Sequence, residues 1–442
     1  MSCNWPLVTL SEVTSRIGDG LHGTPKYDDN GDYYFINGNN LSNGKIVINE
    51  KTKRTDESQY LKHKKDLNDR TLLVSINGTL GNIGTYQGEK VFLGKSACYL
   101  NVLPNVNKDY VMYVLTSKHF QDYIHNLATG STIKNVGLKL IREYEFQLPD
   151  IKTQDSIANV LVSIDSKMFV NQQTNQTIEQ MAQAIFKSWF VDFDPVKAKM
   201  NGEQPEGMDA ATASLFPEKL VESELGLIPE GWEIQTIKSL SEKISKGTTP
   251  SKKDLASATD EPSIRFIKVK DINGQGEILR GKLETIPDSI HTTKLKRSIL
   301  EKEDILFSIA GTIGRVAIVD QDLDNVNTNQ AVAFIRLKNK QTYLPLVYMA
   351  MRENRLQQKA ISSIVQGVQA NLSLANVGDM EVLLPPEDIL NLWNKQYSSI
   401  LQMIKNNFAQ SRQLASLRDT LLPKLLSGEI ELGTSEELVE AI

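Results

Sequence analysis

The sequence has few of the residues that disulfide frameworks and cysteine metal sites require. Its 442 residues include two cysteines, Cys3 and Cys98, which are too few and too far apart for either feature. No run approaches the ~18 consecutive apolar residues of a membrane-spanning helix. The first residues also lack the basic segment and apolar core of a secretory signal. We therefore expect a protein of the reducing cytoplasm that has no membrane partner.

Catalytic and metal-binding motifs are also missing. The five histidines show no metal-ligand spacing, so we predict no metal site and no catalytic residue on this chain. Gly94-Lys95-Ser96 resembles the end of a phosphate-binding loop, but the preceding glycine, Gly88, is one residue too far back. There is no Asn-Pro-Pro-aromatic or Asp-Pro-Pro-aromatic tetrapeptide of the kind that amino-methyltransferases use to orient their target nitrogen. These absences argue against a self-contained DNA methyltransferase or nuclease.

The formal net charge of −5 is unevenly distributed along the chain. Residues 192–233 carry a net charge of −7 and residues 429–442 carry −5, which leaves about +7 on the remainder. Residues 45–70 hold eight bases and five acids, and residues 265–297 hold eight bases and four acids. Either segment alone is compatible with a solvated strand face. Two such segments at similar positions of two halves favour contact with a polyanion.

The chain is an internal duplication. Residues 4–10 (NWPLVTL) correspond to residues 231–237 (GWEIQTI), and residues 75–81 (SINGTLG) correspond to residues 308–314 (SIAGTIG). Further matches lie between these motifs and after them, in the same order and at an offset that drifts from about 225 to 237. They are Thr24-Pro25 with Thr249-Pro250, Phe35-Ile36 with Phe266-Ile267, Asn40-Leu41 with Asp271-Ile272, Gly130 with Gly367, and Leu148-Pro149 with Leu384-Pro385.

Each copy begins with short β-branched and aromatic runs that Gly, Asn and Asp interrupt, a pattern typical of β-strands. A short helix is expected at residues 110–127. A long helix then follows, at about residues 151–190 in the first copy and 387–422 in the second, where Pro423 kinks or ends it. The pattern predicts an α+β protein in which two duplicated β-rich domains are each followed by a long helix.

The long helices carry apolar residues at steps of seven, interrupted at the same point by an asparagine. A polar residue in such a seam lowers stability but fixes register and partner choice. We therefore predict that the two helices pair as a coiled coil. The seam residues are Ile164, Asn171, Ile178 and Ile185 in the first helix and Ile400, Asn407, Leu414 and Leu421 in the second.

The seam does not determine the direction of pairing, although a pseudo-twofold relation between the copies favours an antiparallel coiled-coil spacer. The alternative is that each helix covers its own domain as an ordinary amphipathic helix. The predicted organisation is a first β-rich domain at 1–150, a first helix at 151–191, an acidic linker at 192–230, a second β-rich domain at 231–386, a second helix at 387–428, and an acidic tail at 429–442.

These features together resemble the specificity subunit of type I restriction–modification systems. The resemblance covers essentially the whole chain and includes residues 19–27 (DGLHGTPKY), the linker at residues 186–195 (FKSWFVDFDP) and the helix end at residues 425–430 (LLSGEI). The paired Ser-Ile-x-Gly-Thr-x-Gly segments and the Leu-Pro before each helix also match. The order of these motifs, twice in one chain, is specific.

The resemblance implies a subunit that is not itself an enzyme. Each β-rich domain would be a target recognition domain that reads one half of a bipartite sequence in double-stranded DNA. The helices would set the gap between the halves and dock two modification (methyltransferase) subunits, which restriction (motor–nuclease) subunits join. No cofactor is expected on this chain, whereas S-adenosylmethionine, ATP and Mg are expected on the partner subunits.

Candidate DNA contacts are exposed cations for phosphates and polar side chains for base edges. In the first domain they are Lys51, Lys53, Arg54, Lys64, Thr79, Ser131, Thr132, Lys134 and Asn135. In the second domain they are Thr249, Ser251, Lys252, Lys270, Arg280, Arg297, Arg315, Gln369 and Asn371. The two glycine–threonine segments fit either a phosphate cradle or a plain turn between strands.

One further hypothesis is a duplicated adaptor that holds two protein partners without reading DNA. The overall acidity fits this hypothesis, while the two basic segments oppose it. The target sequence and the length of its gap cannot be derived from the residues, because base recognition depends on loop geometry.

Overall fold

The computed structural model describes residues 5–130, 134–363, 371–430 and 432. Its contacts divide the chain into two compact units. Unit 1 comprises Met1–Asn171 and Phe408–Ile442, and unit 2 comprises Gln172–Asn407. Both units combine helices with sheets, so the predicted α+β class is confirmed. Within the described ranges, no helix is long and apolar enough to cross a membrane.

Unit 1 contains short strands, several short helices and the first part of a long helix. Its described strands are β1 (Leu7–Thr9), β2 (Thr14–Asp19), β3 (Tyr33–Ile36), β4 (Leu41–Ser42), β5 (Gly44–Ile46), β6 (Arg54–Thr55), β7 (Thr71–Ser75), β8 (Ile83–Thr85), β9 (Val91–Leu93), β10 (Ala97–Val102) and β11 (Glu145–Gln147). Its described helices are α1 (Glu57–His63), α2 (Lys108–Thr116), α3 (Lys118–Leu127), α4 (Leu138–Arg142) and the first part of α5 (Ile151–Phe190).

Unit 2 repeats this arrangement after an additional segment. Its described helices are α6 (Asp194–Met200), α7 (Ala210–Ser214), α8 (Ile237–Leu240), α9 (Lys252–Ser257), α10 (Asp288–Thr292), α11 (Lys340–Arg352), α12 (Asn354–Ser362), α13 (Leu374–Gly378) and the first part of α14 (Glu387–Leu426). Its described strands are β12 (Leu220–Ser223), β13 (Gly226–Pro229), β14 (Glu233–Thr236), β15 (Ser241–Lys246), β16 (Pro262–Ile267), β17 (Glu284–Pro287), β18 (Ile305–Ser308), β19 (Val316–Ile318), β20 (Asn327–Thr328), β21 (Val332–Leu337) and β22 (Glu381–Leu384).

The sheets of the two units share one strand order, to which unit 1 adds β5 and β4 at the edge of its main sheet. The main sheet of unit 1 contains the order β2-β10-β7-β8, and that of unit 2 has the order β15-β21-β18-β19. A smaller sheet follows the same plan in both, β6-β3-β9 and β17-β16-β20, each with one antiparallel and one parallel pair. The entry strand of each copy pairs with the strand before its long helix, β1 with β11 and β14 with β22. The duplication predicted from sequence is therefore a duplication of topology.

The central strands are apolar on both faces at most positions, with a few buried polar residues such as Thr71, Ser75 and Asn101. Every residue of β7 and of β18 is buried, as is every residue of β10 and β21. Such strands read as continuous apolar runs rather than as alternating ones. They anchor the loops that follow them in a rigid sheet.

Each unit contains an antiparallel pair of helix segments. In unit 1 the Arg418 guanidinium contacts the Asp165 carboxylate at 2.9 Å, and the Asn171 amide donates to the Gln410 side chain at 2.8 Å. Residue numbers thus rise along α5 while they fall along α14. The seam residues of this unit are buried or half-buried: Ile164, Asn171, Leu414 and Leu421.

Unit 2 shows the same direction of pairing. The Asn407 amide donates to the Asn175 side chain at 2.7 Å, and the ring centroids of Trp189 and Trp393 are 6.2 Å apart. The seam residues here, which are Ile178, Ile185, Ile400 and Asn407, are half-buried. The antiparallel direction is therefore confirmed within each unit. Asn175, which is 6% exposed, is a second buried asparagine that the steps of seven do not include.

Each long helix contributes to the core of its own domain, as the alternative expected, and also to the core of the unit that contains the other copy. Ile157 and Leu161 of α5 lie in the core of unit 1, together with Leu425 of α14. Phe186 of α5 and Trp393 of α14 lie in the core of unit 2. Pro423 stands inside α14, which continues to Leu426.

The structure divides one expected helix and shows how the acidic linker packs. The helix expected at residues 110–127 is broken at Ser117, whose hydroxyl accepts a hydrogen bond from the Phe120 N–H and so caps α3. The acidic segment at residues 192–230 is folded on unit 2, because Phe216 and Ile228 belong to its core. Most of its charged side chains are exposed, whereas its apolar residues Phe216 and Ile228 are buried.

Candidate nucleic-acid interface

Unit 1 exposes a glycine–threonine turn directly after its central strand. Turn 1 (residues 78–81) follows β7 and is closed by a hydrogen bond from the Gly81 N–H to the Ser75 carbonyl, at 2.9 Å. Gly78 and Gly81 have φ values of 74° and 81°, which side chains disfavour, so the turn requires both glycines. Thr79 is exposed at the tip. The threonine thus stands on a turn that the sheet holds in place.

Unit 2 has the same turn after its own central strand. Turn 2 (residues 311–314) follows β18 and is closed by the equivalent bond from the Gly314 N–H to the Ser308 carbonyl, at 3.0 Å. The φ values of Gly311 and Gly314 are 72° and 90°. Thr312 is exposed at this tip.

Backbone pairing brings the polar run of the first copy to turn 1. Asn77 and Asn135 form a β-bridge, and the Asn77 amide donates to the Asn135 side-chain oxygen at 3.1 Å. The Gly78 N–H donates to the Lys134 carbonyl at 3.0 Å. Lys134 and Asn135 are exposed. An ammonium, an amide and the hydroxyl of Thr79 therefore belong to one small surface.

The second copy repeats this pairing. Ala310 and Asn371 form the equivalent β-bridge, and the Leu372 N–H donates to the Ile309 carbonyl at 2.9 Å. Asn371 is exposed beside turn 2. Three predicted contacts of the polar runs, Ser131, Thr132 and Gln369, lie outside the described residues.

The predicted cations of unit 1 are exposed on the smaller sheet and its flanking loops. The Lys53 ammonium lies 5.7 Å from the Tyr27 ring centroid, and the Arg54 guanidinium lies 5.0 Å from that of Tyr34. Contacts of this kind hold a cation at the surface without neutralising it. The predicted cations of this region are all exposed: Lys51, Lys53, Arg54 and Lys64.

Two predicted cations of unit 2 are held by carboxylates. The Lys270 ammonium lies 3.1 Å from Glu284, and the Arg280 guanidinium lies 2.6 Å from Asp320 and 2.7 Å from Asp322. Burial by itself would lower the pKa of Arg280, but the hydrogen bonds to Asp322 and Asp320 outweigh it and raise the pKa. The Arg280 side chain is only 13% exposed. Much of its hydrogen-bonding capacity is therefore used inside the unit.

Two further arginines of unit 2 also bond to protein groups. The Arg315 guanidinium donates to the carbonyls of Val269 at 3.0 Å and Ile272 at 2.5 Å, which fixes the start of the segment between β16 and β17. The Arg297 guanidinium donates to the Thr248 hydroxyl at 2.9 Å. Arg315 is half-buried, whereas Arg297 is exposed.

The last predicted residues of unit 2 surround α9. The Ser251 hydroxyl accepts from the Asp254 N–H at 3.1 Å, so this side chain caps the helix. The Thr249 hydroxyl donates to the Gln330 side chain, and Lys252 is exposed in the first turn of α9.

Sequence reasoning missed two glutamines that hold the turns. The Gln121 amide donates to the Gly81 carbonyl at 2.9 Å, and the Gln357 amide donates to the Gly314 carbonyl at 3.0 Å. These residues are 236 positions apart, the offset that also relates the two helical seams. That shared offset is the signal by which they could have been found.

The described residues contain no group of three or more His, Cys, Asp or Glu side chains that could hold a metal ion. Burial raises the pKa of the Cys98 thiol, which lies within the core of unit 1. A protonated thiol is a poor nucleophile and a poor metal ligand.

Comparison with known proteins identifies the family. A profile described as the type I restriction modification DNA specificity domain matches residues 4–180 and again residues 229–416. The chain is 27% identical over 382 residues to the type I restriction enzyme HindI specificity subunit of Haemophilus influenzae, a match that covers 76% of this chain and 81% of that protein. It is 25% identical over 342 residues to the MjaIX specificity subunit of Methanocaldococcus jannaschii, covering 76% and 72%.

A solved structure has the same fold. The S subunit of a type I restriction–modification system from M. genitalium aligns with a TM-score of 0.51 at 18% identity, over 97% of each chain. The two profile matches each begin just before an entry strand, β1 or β14, and end within a long helix. The chain therefore belongs to the family of type I restriction–modification DNA specificity proteins.

Proposed function

We propose that this chain is the non-catalytic DNA specificity subunit of a type I restriction–modification complex, with one recognition surface in each unit. The observation that carries the proposal is the repeated arrangement of an exposed Thr tip and a bridged polar run. It occurs as Thr79 with Asn135 in unit 1 and as Thr312 with Asn371 in unit 2. Two matched readers suit a target with two separate half-sites.

In this proposal, one group of side chains contacts base edges and another contacts phosphates. Thr79, Asn135, Thr312 and Asn371 are short, fixed hydrogen-bonding groups, which suit base edges in the major groove. Exposed lysines suit phosphates, which fix register and orientation but carry no sequence information. The exposed lysines in question are Lys51, Lys64, Lys134 and Lys252.

The chemistry belongs to partners in this proposal. Two modification subunits would dock on the chain and bind S-adenosylmethionine, the methyl donor for adenine. Restriction subunits would use ATP and Mg²⁺. The chain's own residues would bind and orient the duplex and would hold the modification subunits.

Modified-base sequencing tests the proposal. The gene for this chain is expressed with its cognate modification subunit gene in a host without other adenine methyltransferases, and the control host receives the modification subunit alone. We expect N6-methyladenine in one bipartite motif with a fixed gap, and only when both genes are present. Methylation that is absent, or the same without this chain, would contradict the proposal and would favour the adaptor role.

A further inference from the structure

The glycine–threonine turns are each held by a glutamine from the second helix after the main sheet, α3 in unit 1 and α12 in unit 2. Gln121 lies in the first turn of α3 and is half-buried. Its side-chain amide donates one hydrogen bond to the Gly81 carbonyl at 2.9 Å and another to the Leu115 carbonyl at 2.9 Å. Both N–H groups of the amide are therefore used.

Gln357 makes the same two bonds in unit 2. It lies in the first turn of α12, and its amide donates to the Gly314 carbonyl at 3.0 Å and to the Met351 carbonyl at 2.5 Å. Leu115 and Met351 stand in the last turns of α2 and α11, where carbonyls have no partner within their own helix. The glutamine thus connects a helix end to the turn.

The fit between glutamine and turn is tight. A Cβ added at Gly81 would lie 2.0 Å from the Gln121 side-chain oxygen, and one added at Gly314 would lie 2.1 Å from that of Gln357. The last glycine of each turn is therefore needed for its positive φ and for the approach of the amide. The contact occurs in both units, at glutamines that are 236 positions apart.

The residue after each turn, Asn82 or Arg315, makes a further hydrogen bond that holds the turn. The Asn82 amide donates to the Gly38 carbonyl at 3.4 Å, and the Arg315 guanidinium donates to the Val269 carbonyl at 3.0 Å. Gly38 and Val269 begin the corresponding 3-10 turns, Gly38–Asn40 and Val269–Asp271. The base of each turn is thus fixed from two sides, while Thr79 and Thr312 remain exposed.

We infer that Gln121 and Gln357 are matched positioning residues for sequence recognition, each setting the turn that reads one half of the bipartite target. This inference rests on the proposed function. Base discrimination requires a donor or acceptor to be held close to its ideal position, because a displaced group bonds to right and wrong bases alike. Loss of the amide releases the turn without removing any group that would touch DNA.

The inference predicts that each glutamine affects recognition of a different half of the target. The full chain is assembled with its modification subunits as wild type, Gln121→Leu and Gln357→Leu. Each complex is tested on the target duplex and on duplexes with one base pair changed in one half. We expect each variant to lose about 10-fold in discrimination at one half-site, a different half for each variant, with the other half unchanged.

Neighbouring exposed residues provide matched controls. Gln358→Leu makes the same chemical change one position further along α12, and Asn126→Leu changes an exposed residue of α3. Both controls are expected to keep the wild-type profile. If Gln121→Leu fails to assemble, Gln121→Met keeps the length of the side chain without its donors.

The possible outcomes distinguish a failure of the proposed function from a failure of this inference. A wild-type complex without sequence preference overturns the proposed function, and this inference with it. A preference that both variants retain, or lose equally in both half-sites, overturns this inference alone. Hydrogen exchange at the Gly78 and Gly81 amides, expected to be faster in Gln121→Leu, reports whether turn 1 was released.

Discussion

At the scale of single residues, the first glycine of each turn has a purely conformational role. Gly78 has a φ of 74°, and an added Cβ there would meet no atom within 4 Å. The Cβ of alanine would therefore be crowded only by the backbone of residue 78 and its two neighbours in sequence. Such a site isolates the cost of the left-handed conformation from the cost of lost packing.

Gly78→Ala is expected to lower the free energy of unfolding by about 1–2 kcal/mol, the cost of placing an L-residue in this region. The measurement is urea denaturation followed by circular dichroism. Gly23→Ala is the control in the same unit, because its Cβ also meets open space and its φ is not positive. Equal effects of the two substitutions would contradict the conformational account.

Single residues also show where sequence reasoning ends. The glycines of the turns were predictable, because a turn between strands needs them. The engagement of Lys270 and Arg280 was not, since their partners Glu284 and Asp320 are 14 and 40 positions away. A cation paired only after folding looks the same in sequence as a free one. This is why the exposed cations of unit 2 could not be separated from the paired ones in advance.

At the scale of elements, α2 is fixed by buried tyrosines that hydrogen-bond to neighbouring elements. The Tyr110 hydroxyl donates to the Gln147 carbonyl of β11, and the Tyr113 hydroxyl donates to the Asp165 carboxylate of α5, both at 2.7 Å. Tyr144, after α4, contacts His119 at 2.8 Å. The three hydroxyls thus connect α2 to β11, α2 to α5, and the residue after α4 to α3.

These tyrosines predict a loss of stability at alkaline pH. Burial raises the pKa of Tyr110, Tyr113 and Tyr144, in the last case to about 12. The folded state thus keeps protons that the unfolded chain loses above pH ~10. The stabilisation is complete below that pH and is lost as pH rises towards the folded pKa, at about 1.4 kcal/mol per pH unit for each tyrosine.

The test is urea denaturation at a series of pH values between about 9 and 12. Tyr144→Phe removes one titrating group and is expected to make the decline with pH less steep by about 1.4 kcal/mol per pH unit. Identical declines for wild type and Tyr144→Phe would exclude this cause.

Elements were predicted well where a single periodic pattern dominates. The long helices were readable because apolar residues recur over many turns, and a pseudo-twofold relation between the copies favoured the antiparallel direction without determining it. The break at Ser117 was not readable, because the apolar spacing continues across it while the serine side chain caps the next helix. The packing of the acidic linker was not readable either, because charged residues dominate its composition while a few apolar ones, such as Phe216 and Ile228, pack into the core of unit 2.

At the scale of the whole molecule, the question is how a chain of net charge −5 binds a polyanion. Binding depends on which phosphates are contacted rather than on the total charge. Each neutralised phosphate releases counterions and contributes about −0.9 to the slope of log K against log salt. The structure divides the candidate cations into exposed ones, such as Lys64, and ones held by carboxylates, such as Arg280.

Lys64→Ala is expected to weaken DNA binding by the assembled complex uniformly across sequences and to reduce the magnitude of the salt slope by about 1. Arg280→Ala is expected to leave the slope unchanged and to lower the stability of unit 2, because Asp320 and Asp322 lose their shared partner. Titrations at several salt concentrations, with thermal denaturation of the same samples, measure both quantities. An unchanged slope in Lys64→Ala, or a reduced one in Arg280→Ala, would show that exposure does not identify the phosphate contacts. A reduced slope in Arg280→Ala would mean that the arginine leaves Asp320 and Asp322 to contact a phosphate, so that DNA binding would break an ion pair that stabilises unit 2.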